Sequence, residues 1–188
     1  MLHKLKTVFS FADLRWFAAL AVLGALSAGA QAAEEETDEF DKAWKEIALQ
    51  LPAAPQPQNL VPFYVSPTAT QKFSIDAASL SVGTDKVIRY TLVSVGNGGA
   101  KNVSFEGLRC DVMQKRLYAF GREDGSWSRS RREEWEPIRV NSPNRQHVTL
   151  ASDFLCDGRT IAGTAAKMLQ KIRQNGALGS MRQATGEQ

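Results

Sequence analysis

The residues Val87-Ile88-Arg89-Tyr90-Thr91-Leu92-Val93-Ser94-Val95 are mostly β-branched or aromatic, and Gly96-Asn97-Gly98-Gly99 follows them without a break. Branched side chains lose rotamer freedom in a helix and pack well on a pleated surface, so this run predicts a strand. The glycine-rich tetrapeptide supplies the positive φ that a tight reversal needs. A strand that ends in such a reversal returns beside itself, which commits this part of the chain to antiparallel pairing. Ile88, Tyr90 and Leu92 share one face, and Val103 and Phe105 resume the alternation after the turn. Leu108 and Cys110 come from a following run, with a kink expected at Gly107.

Other segments extend the pattern. Phe73, Ile75 and Ala77 alternate with Ser74, Asp76 and Ala78. Residues 117–121 read as a further short strand, and Gly121-Arg122-Glu123-Asp124-Gly125 as a second turn. Residues 135–140 are expected to add an edge strand, because Pro137 lacks the amide that a central strand requires. Beyond Pro143, Leu150, Phe154 and Leu155 predict a short helix ending near Asp157-Gly158. Ile161, Ala165, Met168, Leu169 and Ile172 line one side of a second helix, which Asn175-Gly176 is expected to stop. No helical pattern separates the strands, which excludes parallel βαβ units. The expected fold is α+β: an antiparallel sheet of five to six strands with an N-terminal amphipathic helix and C-terminal helices packed on it.

The first 32 residues have a separate logic. Lys4, Lys6 and Arg15 precede the apolar run from Trp16 to Leu26, and Ala30-Gln31-Ala32 offers small residues to a signal peptidase. About ten apolar residues fall well short of the roughly 20 that span a bilayer. Residues 1–32 therefore read as a secretory signal peptide cleaved after Ala32, which directs the chain to the periplasm and leaves no stable membrane span. An uncleaved N-terminal anchor is the other reading. Cleavage removes three basic residues and Asp13, leaving 20 basic against 19 acidic residues, so the formal charge of +3 falls to +1. Global charge then makes no case for nucleic acid as a partner. An acidic start follows, and Phe40, Trp44, Ile47 and Leu51 set an amphipathic helix from Thr37. Pro52, Pro55, Pro57 and Pro62 turn the rest of residues 33–62 into an extended linker. Residues 63–175 form the α+β domain, and residues 176–188 are expected to be a disordered tail.

Cys110 and Cys156 are the only cysteines. An even count in an exported chain favours a disulfide, here one that ties the β region to the C-terminal segment. Closing a loop of this length stabilises by roughly 4 kcal/mol on the chain-entropy view. A catalytic or metal-binding pair is the competing reading, and it lacks a C-x-x-C spacing.

Three stretches carry a resemblance. They are Arg89-Tyr90-Thr91-Leu92-Val93-Ser94, then Gly98-Gly99-Ala100-Lys101-Asn102-Val103-Ser104-Phe105-Glu106-Gly107-Leu108-Arg109-Cys110, and Tyr118-Ala119-Phe120-Gly121-Arg122-Glu123-Asp124-Gly125-Ser126-Trp127. With Trp135 and Phe154-Leu155-Cys156 behind them, they resemble the domain family of proteobacterial envelopes named after the cryptic neisserial protein. The resemblance covers roughly residues 40 to 175. It implies export and a single domain, and it transfers no activity, cofactor or catalytic residue.

Candidate sites are few. Arg122, Arg129, Arg131 and Arg132 cluster with Trp127 and Trp135, and guanidinium forks beside aromatic faces grip phosphates, carboxylates or sugars. These six are the candidate contact residues for an envelope component or another protein. The blander account is a solvated hairpin whose arginines are answered by Glu123, Asp124, Glu133, Glu134 and Glu136. Glu106, with Asp111 or Glu123, is the alternative: a carboxylate pair for hydrolysis of a cell-wall glycan. A pairing of Glu106 with Arg109 or Arg89 is the structural account of the same residue. His147 is the only histidine of the mature chain and has no G-x-S-x-G elbow to serve. Two histidines, two cysteines and the lack of a phosphate-loop or dinucleotide fingerprint give no reason to expect a metal, a cofactor or a catalytic site.

Overall fold

A computed structural model of the chain describes residues 44–132, 134–140 and 145–185, the last nine of these as backbone alone. The expected signal peptide and acidic start lie outside the described residues, as does the first part of the expected N-terminal helix. The chain divides into two compact units, Met1–Lys45 and Glu46–Gln188, and every element below belongs to the second.

Six strands run as an antiparallel meander: β1 (Leu60–Phe63), β2 (Gln71–Val82), β3 (Ile88–Gly96), β4 (Lys101–Arg109), β5 (Gln114–Gly121) and β6 (Trp127–Arg129). A two-residue β7 (Glu136–Pro137) pairs with the start of β5, where Gln114 faces Pro137 and Lys115 faces Glu136. Two further short strands, β8 (Cys156–Asp157) and β9 (Thr160–Ile161), pair with each other. Helix α1 (Arg145–Thr149) continues into a π-type turn (Leu150–Leu155), and α2 (Ala165–Thr185) closes the described chain. The fold is α+β, with an antiparallel sheet and two C-terminal helices. Among the described residues no helix is long and apolar enough to cross a membrane.

The strand pattern decides which face is buried under the helices. Ile88, Tyr90 and Leu92 point to one side of β3, and Ile75 on β2 and Leu108 on β4 join them. Leu150, Phe154 and Leu155 from the π-type turn, with Met168 and Ile172 one helical turn apart on α2, complete this core. Each fully buried aliphatic side chain is worth about 1.5–3 kcal/mol relative to exposure. The Cys110–Cys156 disulfide spans 46 positions with a Cα–Cα distance of 5.7 Å. It joins the end of β4 to β8, so the expected tie between sheet and C-terminal segment is present.

Several expectations shift. Residues 44–51 have no regular secondary structure, so the amphipathic helix does not extend over the described part of its range. The proline-rich stretch is not all linker: Pro57–Asn59 is a 3-10 turn, and Pro62 lies in β1 at the sheet edge, where a missing amide costs no ladder bond. The edge strand expected over residues 135–140 shrinks to Glu136–Pro137. The second helix does not start at Ile161, which pairs with Cys156 in β9 instead. Nor does it stop at Asn175-Gly176, since α2 continues to Thr185 and takes in most of the expected tail. Gly176 has a packing reason: a Cβ there would stand 2.7 Å from the Pro62 carbonyl oxygen. The expected kink at Gly107 is absent; the irregularity falls beside it, between Phe105 and Glu106.

Candidate functional site

Strand alternation puts Arg89 on the face of β3 opposite Tyr90, and there it builds a layer of guanidinium groups and rings. Arg89 donates to both oxygens of Asp85, Nη1 to Oδ1 at 3.1 Å and Nη2 to Oδ2 at 2.6 Å. Its Nη2 also reaches Glu46 Oε1 at 3.0 Å, and Arg116 Nη1 reaches Glu46 Oε2 at 2.8 Å. The Tyr118 hydroxyl donates to the same Glu46. Both guanidinium groups lie over the Tyr118 ring, at 5.8 and 5.5 Å from its centroid. Trp135 meets that ring edge-on at 6.4 Å and sits beneath Arg109 at 5.8 Å. Burial works against the Asp85 carboxylate, but Arg89 and the amides of Ile47 and Val87 hold its pKa below the ordinary value. Burial also opposes the Arg89 charge, and Asp85, Tyr118 and Glu46 push its pKa up. Burial and the Glu46 charge raise the Tyr118 pKa. Two acids answer two arginines here, so the layer is a clasp that fastens residues 46 and 47 to the sheet.

The helix-covered face holds a second polar group. Register places Tyr90 directly opposite Glu106, and the Tyr90 hydroxyl donates to Glu106 Oε2 at 3.2 Å. His147 from α1 meets the same oxygen through Nε2 at 2.7 Å, and Ser104 Oγ donates to Oε1 at 2.7 Å. The Glu106 and His147 side chains are each 8% exposed. Burial raises the Glu106 carboxyl, yet His147 and Ser104 outweigh it and leave the pKa below its ordinary value. His147 Nδ1 is buried without a hydrogen-bond partner. The expected pairing of Glu106 with Arg109 or Arg89 is therefore corrected: its partner is His147, while Arg109 takes Asp111 at 3.1 Å. Glu123 is exposed in the turn between β5 and β6. Glu106 is thus engaged inside the domain, Asp111 on an arginine and Glu123 at a turn, and no contact joins any two of them.

The six contact candidates separate into four settings. Arg122 is exposed in a turn closed by its own amide on the Ser126 carbonyl at 2.8 Å. Trp127 opens β6, donates its indole N–H to the Pro52 carbonyl at 2.7 Å and packs against Phe105 at 6.1 Å. Together Arg122 and Trp127 line a cleft of about 610 Å³. Arg129, paired in register with Ala119, lines a smaller hollow of about 180 Å³ with Glu46 and Arg116. Arg131 and Arg132 follow β6 and are exposed. Trp135 belongs to the clasp layer. Among the described residues Arg122, Arg129, Arg131 and Arg132 make no hydrogen bond or ion pair from their guanidinium groups.

Two of the nearby acids are committed elsewhere. Glu136 pairs with Lys115 at 2.9 Å, and Asp124 accepts from the Ser126 amide at 2.9 Å and its hydroxyl at 2.7 Å. Arg132 and Arg122 reach these carboxylates only through space, each helping to lower a pKa set mainly by Lys115 and by Ser126 respectively. Among the described residues these two acids answer the arginines only as a diffuse field, and Glu133 lies outside the described residues.

A model of the CNP1-like family matches residues 39–173. The chain belongs to the CNP1-like family. No curated protein and no solved structure matches it. The matched stretch of this CNP1-like chain contains the whole clasp, the Glu106–His147 pair and the exposed arginines. Sequence reading missed the clasp because its members, Glu46, Asp85, Arg89, Arg116 and Tyr118, are scattered over more than 70 positions. One signal was available: Arg89 interrupts an otherwise apolar strand, and a buried guanidinium needs acids.

Proposed function

We propose that this CNP1-like chain is exported to the periplasm and serves there as a non-enzymatic binding or accessory domain of the cell envelope. The observation that carries the reading is the set of four exposed arginines, Arg122, Arg129, Arg131 and Arg132, which pair with no acid among the described residues while Glu136 and Asp124 are held by other groups. Exposed guanidinium groups on a rigid hairpin suit an anionic envelope component or an acidic protein surface. The Cys110–Cys156 disulfide supports an oxidising compartment, and the leader supports export. The internal engagement of Glu106 argues against the glycan-hydrolase alternative, which needs two carboxyls facing one substrate.

The test has two arms. The full chain expressed in a Gram-negative host is released by osmotic shock, and N-terminal sequencing of the released form is expected to begin at Ala33. A product retained in the cytosol overturns the export half. The purified protein is expected to co-sediment with envelope membranes, and R129A/R131A/R132A is expected to lose that binding with an unchanged circular dichroism melt. Full binding by the folded triple variant overturns the contact surface.

A further inference from the structure

We infer that the cleft of about 610 Å³ at the turn end of the sheet is a binding site for a saccharide that carries a carboxylate. The inference rests on the envelope-binding reading and names the ligand chemistry within it. Lys101 opens β4 and Arg122 follows β5, neighbouring strands that pair Ser104 with Phe120, so both cations belong to one rim. Neither makes an ion pair among the described residues. Val103 and Trp127 line the cleft as its apolar part. Gly121 lies between them, where a Cβ would stand 2.8 Å from Val103 Cγ1 and 3.6 Å from Trp127 Cζ3, so no side chain interrupts that surface.

The chemistry follows from what is spent and what is free. The Trp127 indole N–H is used on Pro52 and the ring packs on Phe105, which fixes it, and the half-buried ring still lines the cleft with electron-rich carbon surface. The C–H face of a sugar ring is a suitable partner for such a surface. Lys101 and Arg122 supply donors for a carboxylate, and Glu123, exposed on the same rim, supplies an acceptor for hydroxyl groups. Asp124 is tied to Ser126 but keeps its charge. Two cations and two acids make the rim neutral overall, which suits a ligand with one charge per ring and disfavours polyphosphate. The volume lies in the range of about 300–1,000 Å³ typical of small-ligand sites.

Uronic acids of acidic polysaccharides and muramic acid of the wall share this chemistry. Calorimetric titration of the full mature chain with trigalacturonic acid and with N-acetylmuramic acid separates the two sources. At least one is expected to bind, with affinity falling tenfold or more in R122A and in K101M. The methyl ester of trigalacturonic acid is expected to bind at least tenfold more weakly than the free acid. Both substituted positions are exposed, and a thermal melt of each variant checks the fold. Failure of both saccharides, undiminished binding by both folded variants, or tighter binding of adenosine monophosphate overturns the inference. If both saccharides fail while R129A/R131A/R132A still abolishes envelope sedimentation, the ligand class falls and the binding domain stands. If a saccharide binds with the stated losses while sedimentation is indifferent to the triple substitution, the saccharide site stands and the Arg129–Arg132 contact surface falls.

Discussion

Gly107 shows how one residue sets the local geometry of a layer. The Tyr118 ring lies against the bare Cα of Gly107, and a Cβ would stand 2.8 Å from two of the ring carbons. Tyr118 is itself buried and bonded to Glu46, so it has no free rotamer to retreat into. G107A is therefore expected to cost about 1–3 kcal/mol by overpacking, read as a lower urea midpoint with an unchanged slope. Glu106 carries a different prediction. Its folded pKa lies below the ordinary 4.5, so its pairing contributes stability in full above 4.5. That contribution is lost as pH falls through the folded value. Urea unfolding from pH 7 down to pH 3 is expected to show this acid loss in the parent chain and a shallower loss in E106Q. The slope that remains is shared by Asp85, Glu136 and Asp124, whose lowered pKa values work the same way. An identical acid limb in E106Q would show that the His147 pairing contributes nothing.

At the scale of elements, legibility followed periodicity. β3, the β3–β4 turn and β4 stood out because branched residues alternate and glycines mark the reversal. β1 was hidden by Pro62, since a proline reads as linker until the strand is known to lie at an edge. The stop expected at Asn175-Gly176 failed because Gly176 answers a close approach to β1 rather than a helix end. Residues 44–51 have helical spacing in their apolar side chains, yet partners distant in sequence prevail over local spacing. Glu46 is drawn to Arg89 and Arg116, and the Ile47 amide donates to Asp85 at 3.1 Å. Removing the Glu46 carboxylate takes one acid from each of Arg89 and Arg116, while Arg89 keeps Asp85. E46A is expected to destabilise by about 3 kcal/mol in urea unfolding and to speed proteolysis ahead of β1. A loss below about 1 kcal/mol would reduce the clasp to a surface pair.

For the whole molecule, the disulfide is the one side-chain covalent link between sheet and helical layer, and its closure was expected from an even cysteine count in a chain read as exported. Crossing 46 positions, it is expected to contribute about 4 kcal/mol, so C110A/C156A or full reduction lowers the unfolding free energy by that amount. Denaturation with and without reductant measures it directly. The candidate site was half legible. Residue types and spacing revealed the arginines, but whether nearby acids neutralise them depends on where Lys115 and Ser126 fall in three dimensions. Lys101 escaped notice because it lies on the far side of a different turn.

Glu46 finds Arg116 and Tyr118 only 70 and 72 positions further along the chain. A polypeptide is made from its N terminus, so this glutamate can meet Arg89 on β3 first and its last two partners only much later. The earliest stretch of the unit is thereby held in full only once β5 has taken its place. A nascent or truncated chain ending before residue 116 can hold its own beginning only through Arg89 and Asp85. Quality control that probes that stretch would read completeness of the sheet from a single exposed end.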